Sequence, residues 1–445
     1  MPAPASTNRH RRWERLGLAG LVLAVVAAGV LLVVAPADSA DTDRSTRAEL
    51  QSLIDRWADA VRAADRDALA SVIDHTATAL LEAETARAES LAALPLTDFG
   101  YELGPEPDVD VPASLAAAFG TDAVRAHIVY LRYAVDGIDD EPTRRPVTAL
   151  FVERPGGWLL ADDAPDLPGA VTWRGPWDHG RLYVLEVPTS GGRSLVIGPA
   201  ERRDLIEATA LELDSAVDAV SEVWGDDWPR RALVVATGSR EEFTHQVGSN
   251  HDGEEIAAVA VSDVVRPGSA VATGQRIVFA PNAAERLSRA GLRAVLRHEM
   301  VHIAARTETV DGSPLWILEG YADYIGYRGT GTAPTGGVTA DDLRRTAPTL
   351  VATVREDGPP DSLPGDREFS ASEVARTAYE TAWSVAAFTA EEFGTDTLTS
   401  LYRELATGPV DQDGVDDALR KVVGIGTDDY IDRWGEWVTE RLTAG

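Results

Sequence analysis

An uncharged apolar stretch near the N-terminus, LGLAGLVLAVVAAGVLLVVA at 16–35, separates a basic N-terminal segment from a strongly acidic remainder. As a helix, these 20 residues would be about 30 Å long, which matches the hydrocarbon core of a bilayer. Basic residues precede the stretch and acidic residues follow it, so the positive-inside rule predicts a cytoplasmic N-terminus. The sequence therefore predicts a cytoplasmic basic segment at 1–15, a transmembrane signal anchor at 16–37, and an extracytoplasmic remainder.

A cleaved signal peptide is the alternative interpretation of the same stretch. Ala35-Pro36-Ala37 has the small residues of a cleavage site. The apolar cores of signal peptides usually span about 7–15 residues, which is shorter than this one. Cleavage would give a secreted protein instead of a cell-membrane protein, and in both cases most of the chain is extracytoplasmic.

The composition excludes several kinds of chemistry. The 445 residues include no cysteine, which rules out disulfides, thiol nucleophiles, iron–sulfur clusters and thiolate zinc sites. The formal net charge of −31 repels phosphate backbones, so we expect no nucleic-acid partner. Any catalysis must therefore depend on histidines, carboxylates, hydroxyl groups or a metal that such side chains bind.

The first part of the extracytoplasmic chain has the pattern of a small α+β domain at 45–165. Apolar residues recur at helical spacing after the capping box Thr46-Arg47-Ala48-Glu49, and a second helix is predicted at about 67–93. Alternating strands follow, VYLRYAVDG and then ALFVERPGGWLLADD, with a hairpin turn at Pro-Gly-Gly. These strands resemble the cone-like cystatin and nuclear-transport-factor folds.

The motif with the clearest chemistry is His298-Glu299-Met300-Val301-His302, in an apolar helical run at 292–305. Four positions are just over one helical turn, so both imidazoles project from one side and can bind the same ion. Glu299 lies on the face that carries Leu292 and Ile303. A carboxylate on an apolar face is costly to bury, and a metal or water beside it would explain its presence. The alternative is a surface helix that happens to carry two histidines.

A catalytic zinc site takes three protein ligands and leaves a position for water, so a third ligand is needed. Ser313-Pro314 predicts the start of another helix. Glu319 lies in the second turn of that helix, 17 positions after His302. Asp323 follows one turn later on the same face, where it could accept the free N–H of a ligating imidazole.

The H-E-x-x-H helix followed by PLWILEGYADY resembles the gluzincins, the thermolysin-like zinc metallopeptidases whose third ligand is a glutamate. The resemblance covers about 175–445 and implies a metallopeptidase domain whose α-helical C-terminal lobe spans about 340–445. It implies one Zn²⁺ ion, with His298, His302 and Glu319 as ligands and Glu299 as general base. It also implies that Asp323 orients a ligating imidazole. A metzincin would need a further histidine downstream, and none follows His302.

Three further roles are implied by the same resemblance. Tyr379, in YETAW, would donate its hydroxyl to the oxyanion, with packing beside Trp383 as the alternative. His245 and His251 are other possible donors, although the polar loop HQVGSNHDG is an ordinary place for them. The strand RIVFA at 276–280 would be the edge strand that binds a peptide by strand addition, or else an ordinary core strand.

The fold class predicted from the sequence is α+β: a transmembrane helix, a cone-like α+β domain and a gluzincin-type domain. The expected activity is zinc-dependent hydrolysis of peptide bonds in a peptide or protein substrate. The aminopeptidase branch of the family carries G-x-M-E-N, but the only methionines here are Met1 and Met300, so we expect an endopeptidase. Two alternatives stay open: a catalytically idle zinc-containing binding module of the cell envelope, and an aminopeptidase.

Overall fold

A computed structural model describes residues 37–121, 123–248, 256–265, 271–329, 337–371 and 374–443. The predicted basic segment at 1–15 and nearly all of the predicted anchor at 16–37 lie outside these residues. None of the helices in the described ranges is long and apolar enough to span a membrane. The first helix, α1 (Ala37–Ala63), contains the boundary between two compact units, Met1–Ser52 and Leu53–Gly445. All further elements belong to the second unit.

The N-terminal sheet is an antiparallel meander of four strands in chain order. Its strands are β1 (Leu96–Leu103), β2 (Val124–Val135), β3 (Thr143–Arg154) and β4 (Gly157–Asp162). The helices nearby in sequence are α2 (Arg66–Val72), α3 (Thr78–Leu91) and α4 (Ala113–Ala118). Trp57, in the part of α1 that belongs to the second unit, stacks on Tyr101 of β1 with ring centroids 3.9 Å apart, so this end of the helix packs against the sheet. The predicted order of helices before a meander is confirmed, but the single helix predicted at about 67–93 is wrong, because two helices, α2 and α3, form there and are separated at 73–77.

The central sheet has five strands in the order β5-β6-β7-β11-β8. These strands are β5 (Leu182–Thr189), β6 (Gly192–Pro199), β7 (Leu233–Ala236), β11 (Arg276–Phe279) and β8 (Ala258–Val261). β6, β7 and β11 are parallel, while the two edge strands run antiparallel to their neighbours. Helices α5 (Arg203–Trp224) and α6 (Arg240–Val247) connect the strands, and β9 (Val264–Val265) pairs with β10 (Ala272–Thr273) outside this sheet.

The predicted edge strand at 276–280 is wrong, because β11 lies inside the sheet between β7 and β8. All four residues of β11 are buried, as expected for a strand with neighbours on both sides. The edge strand is β8 instead. The alternative interpretation of 276–280, an ordinary core strand, is therefore the correct one.

The remainder of the described chain is helical, as predicted for the C-terminal lobe. Its helices are α7 (Ala283–Arg286), α8 (Arg289–Ala305), α9 (Leu315–Tyr327), α10 (Ala340–Thr346), α11 (Pro348–Asp357), α12 (Ala375–Phe393), α13 (Thr395–Leu405), α14 (Gln412–Val422) and α15 (Thr427–Thr443). A continuous apolar core joins α5, α8, α9 and α12 to the central sheet, and its largest side chains include Trp383, Tyr321 and Tyr402.

Glu242, near the start of α6, is a buried carboxyl group that makes stability depend on pH. Its Oε2 accepts the Gly238 N–H at 2.6 Å, whereas Oε1 has no hydrogen-bond partner among the described residues. Burial raises the pKa of Glu242 to about 7, although the Gly238 N–H and the charge of Arg202 act in the opposite direction. A carboxyl whose pKa is raised by folding costs nothing below its ordinary pKa of 4.5, lowers the free energy of unfolding progressively as pH rises from 4.5 to about 7, and adds no further loss above that.

Between about pH 5 and pH 8, Glu242 is expected to lower the free energy of unfolding of the parent protein by up to about 3 kcal/mol. The Glu242→Gln variant is expected to lack this decrease. Urea unfolding across this range measures the difference between the variant and the parent protein. Only the change of this difference with pH tests the assignment. The glutamine amide also puts a buried N–H in place of Oε1, which lowers stability equally at every pH. Glu241→Gln, at the exposed neighbouring position, is the control. A difference between Glu242→Gln and the parent that stays constant with pH would contradict the assignment.

Candidate metal centre

Helix α8 carries His298, Glu299 and His302 on adjoining faces. Ser288 caps the helix by accepting the Gly291 N–H at 3.1 Å. One face of α8 enters the apolar core, and this burial fixes the helix against the central sheet. The two imidazoles are only partly buried, with 15% of His298 and 25% of His302 exposed. The helix thus presents both rings where an ion and a solvent molecule could reach them.

Helix α9 reaches α8 because two of its glycines allow close backbone contact. A Cβ at Gly326 would lie 2.8 Å from the carbonyl oxygen of Ala294 in α8. A Cβ at Gly320 would lie 2.4 Å from the carbonyl oxygen of Ala382 in α12. Real Cβ atoms do not approach an oxygen so closely, so larger residues would push α9 away from both neighbours. Glu319, adjacent to Gly320, is thereby brought beside the two histidines.

The three predicted ligand side chains converge. His302 Nε2 lies 3.2 Å from His298 Nε2, and the Glu319 carboxylate lies 3.3 Å from His298 Nε2 and 3.7 Å from His302 Nε2. Ligands at zinc bond lengths of about 2.0–2.1 Å on a tetrahedron are about 3.3 Å apart. In the described ranges, this trio is the group of side chains that could hold a metal ion. Its donor set and spacing fit a zinc ion.

Asp323 orients the first of these ligands. Its Oδ1 lies 2.8 Å from His298 Nδ1, so the Nδ1–H tautomer donates to Asp323 and leaves Nε2 as the lone-pair donor toward the trio. Burial alone would lower the pKa of His298, but Asp323, Glu319 and Glu299 together raise it above its usual value. Burial would likewise raise the pKa of Glu319, but both histidines hold it well below its usual range. The centre therefore retains its anionic ligand.

Glu299 is held between helix α8, which carries the two histidines and is called the metal helix below, and edge strand β8 of the central sheet. Its Oε2 accepts the N–H of Ala260, in edge strand β8, at 2.7 Å. No hydrogen bond to Oε1 is seen among the described residues. Burial raises the pKa of Glu299, whereas the two neighbouring imidazoles lower it. One carboxylate oxygen is thus fixed by the sheet and the other is left for a proton.

The predicted oxyanion donors Tyr379, His245 and His251 differ in where the structure places them. Tyr379 of α12 packs edge-on against Phe369, with centroids 5.0 Å apart. Burial and the charges of the centre's carboxylates raise the pKa of Tyr379 well above its usual value, but its hydroxyl makes no hydrogen bond to the centre among the described residues. His245 instead contacts His179, Nδ1 to Nε2, at 3.3 Å. His251 lies outside the described residues.

Sequence reasoning missed Gly320, Gly326 and Ala260. Isolated glycines inside an apolar helix signal a close backbone approach, so Gly320 and Gly326 could have been found. The Ala260 N–H could not, because nothing local marks a backbone amide that binds a side chain 39 positions away.

No protein-family model matches the chain, and no curated protein matches it. What the centre can do chemically therefore follows from its own geometry. It combines three converging donors, a carboxylate that orients one of them, and a second carboxylate fixed beside the edge of a sheet.

Proposed function

We propose that this protein is a membrane-anchored, extracytoplasmic zinc metallopeptidase that cleaves peptide bonds within a peptide or protein chain. The observation that carries the proposal is the convergence of His298, His302 and Glu319 at 3.2–3.7 Å with Glu299 alongside. The apolar stretch at 16–35 supports the anchor and the extracytoplasmic location. The sequence contains no cysteine that could act as a thiol nucleophile, which agrees with metal-assisted hydrolysis.

The roles of the side chains follow from their positions. Zinc bound by His298, His302 and Glu319 would supply Lewis-acid activation of a water molecule and of the substrate carbonyl. Glu299 takes a proton from the attacking water at its unoccupied oxygen and delivers it to the leaving amine. Asp323 keeps His298 in the tautomer that offers Nε2. Tyr379 stays our proposed hydroxyl donor to the oxyanion, since it lies within electrostatic reach of the carboxylates of the centre.

Edge strand β8 gives this chemistry a surface suited to an extended peptide. Ala260 faces Ile277 of β11 and sends its N–H to Glu299, away from β11. The carbonyl of a strand residue points to the same side as its N–H, so the Ala260 carbonyl also faces the edge of β8 that has no partner strand among the described residues. That edge could accept an N–H from a substrate backbone that pairs as an added strand. Recognition of an extended main chain along this edge favours an endopeptidase.

The test is cleavage of peptides blocked at both ends by the purified full-length protein, followed by mass spectrometry. Internal cleavage is expected, with a loss of at least about 100-fold after chelation and recovery on addition of about one zinc per chain. No cleavage by the zinc-loaded protein would favour the idle binding module. Cleavage restricted to unblocked amino termini would favour an aminopeptidase.

A further inference from the structure

A cluster of four charges, three of them buried and Arg145 25% exposed, joins the N-terminal sheet to the central sheet. Arg276, the first residue of β11, donates from Nη1 and Nη2 to the two carboxylate oxygens of Asp139, both at 2.7 Å. The two side chains are 6% and 4% exposed. Arg145 of β3 forms a second ion pair with Asp263, which follows β8 and is 8% exposed. Each sheet region contributes one arginine and one aspartate, so the charges balance.

Aromatic rings from the N-terminal sheet region support this four-charge cluster. The guanidinium carbon of Arg276 lies 5.9 Å from the Tyr133 ring, and that of Arg145 lies 5.2 Å from the Trp173 ring. The two rings stack on each other with centroids 5.7 Å apart. Arginines held by a ring and by a carboxylate have fixed positions. Removal of one partner from the buried Arg276–Asp139 pair is strongly destabilising, because the other charge stays buried and uncompensated. The Arg145 side chain is 25% exposed, so we expect its removal to act locally.

The cluster acts directly on the edge strand of the proposed active site. Arg276 pairs in register with Val261, the last residue of β8. Beyond it, Ser262 accepts a hydrogen bond from Arg306, at the end of metal helix α8, at 3.0 Å. Asp263 is then held by Arg145. The metal helix therefore holds the strand at Ala260 and Ser262, and the N-terminal sheet holds it at Asp263.

We infer that the N-terminal sheet is a brace for edge strand β8, and that Arg145 is a positioning residue for the peptide backbone that β8 binds. The second half of this inference rests on the proposed function, whereas the first half does not. β8 has only four residues and one open edge, so its own ladder of hydrogen bonds gives it little stability. Because Ala260 and Ser262 are already held by α8, a brace at Asp263 keeps the edge of β8, which has no partner strand among the described residues, in line with the metal centre.

The brace is tested with Arg145→Met in the full-length protein, with Arg144→Met as the matched control. Arg144 is the preceding residue of β3, is 53% exposed and pairs with Glu102. Hydrogen exchange of the segment 256–265 is expected to become at least about 10-fold faster in Arg145→Met, with exchange in α8 and zinc content unchanged. Arg145→Lys keeps the charge but loses the planar fork, and we expect an intermediate rate. Arg145→Asp combined with Asp263→Arg is expected to restore part of the protection.

Peptide cleavage supplies the second readout. We expect KM to rise about 10-fold in Arg145→Met with kcat within about two-fold, since the loss concerns binding of the peptide backbone. Unchanged exchange in β8, or faster exchange spread through α8 and β11, would overturn the brace. Loss of zinc would overturn it as well, since the residue would then support the metal and not the strand. If exchange in Arg145→Met is faster only in β8, but the zinc-loaded parent protein cleaves no peptide, the brace is upheld and the proposed function is refuted.

Discussion

Replacement of Glu319 by alanine is expected to reduce bound zinc from about one ion per chain to less than about a tenth. Glu319 is the only anionic member of the trio, and its carboxylate lies 3.3 Å from His298 Nε2 and 3.7 Å from His302 Nε2. A site with two imidazoles alone lacks the three protein ligands that a catalytic zinc needs. We expect the affinity for zinc to fall by about 10³-fold or more, because the binding free energy is divided among only three protein ligands.

Elemental analysis after dialysis measures the zinc content, and circular dichroism shows whether the variant is folded. Glu308→Ala is the control, because Glu308 lies just beyond the metal helix and pairs with Arg403 instead of a histidine. Zinc retained by Glu319→Ala would mean that the third ligand lies elsewhere. A folded parent protein that takes up no zinc would refute the metal centre altogether.

Replacement of Glu299 by glutamine is expected to leave zinc bound and to lower peptide cleavage by about 10²–10⁴-fold. Glutamine has nearly the same shape, and its carbonyl oxygen can still accept the Ala260 N–H. It cannot take a proton from water at neutral pH. The variant therefore separates proton transfer from both metal binding and the position of β8.

Steady-state cleavage of a blocked peptide measures the effect, and zinc content is measured on the same preparation. Glu308→Gln serves as the matched control, since it makes the same chemical change outside the centre. Cleavage by Glu299→Gln at the parental rate would refute the proposed role of Glu299. If neither protein cleaves any peptide while both bind zinc, the idle binding module becomes the better interpretation.

Much of the centre could be predicted because its spacing is local. His298 and His302 share a helix face by virtue of helical geometry alone, and Asp323 follows Glu319 by one turn. The structure confirms that His298, His302 and Glu319 come together and that Asp323 meets His298. The identity of the metal stays a prediction.

The error over the edge strand has a physical cause. A buried strand and an edge strand beside a metal helix can both be short apolar runs, and periodicity does not tell them apart. RIVF is buried throughout, which is typical of an internal strand, whereas β8 has small and half-buried residues. The order of strands in a sheet depends on how distant segments pair, and no local pattern encodes it.

The sequence by itself determined the α+β class, the helical C-terminal lobe and the helix face that carries both histidines, because propensity and periodicity act over a few turns. Only the tertiary structure decided how Glu319 reaches the histidines, through the close contacts at Gly320 and Gly326. It also decided that the Ala260 amide binds Glu299 and that Arg145 holds the strand beside it. These contacts join residues far apart in the chain, and they form because the apolar core fixes its helices and sheets at short distances.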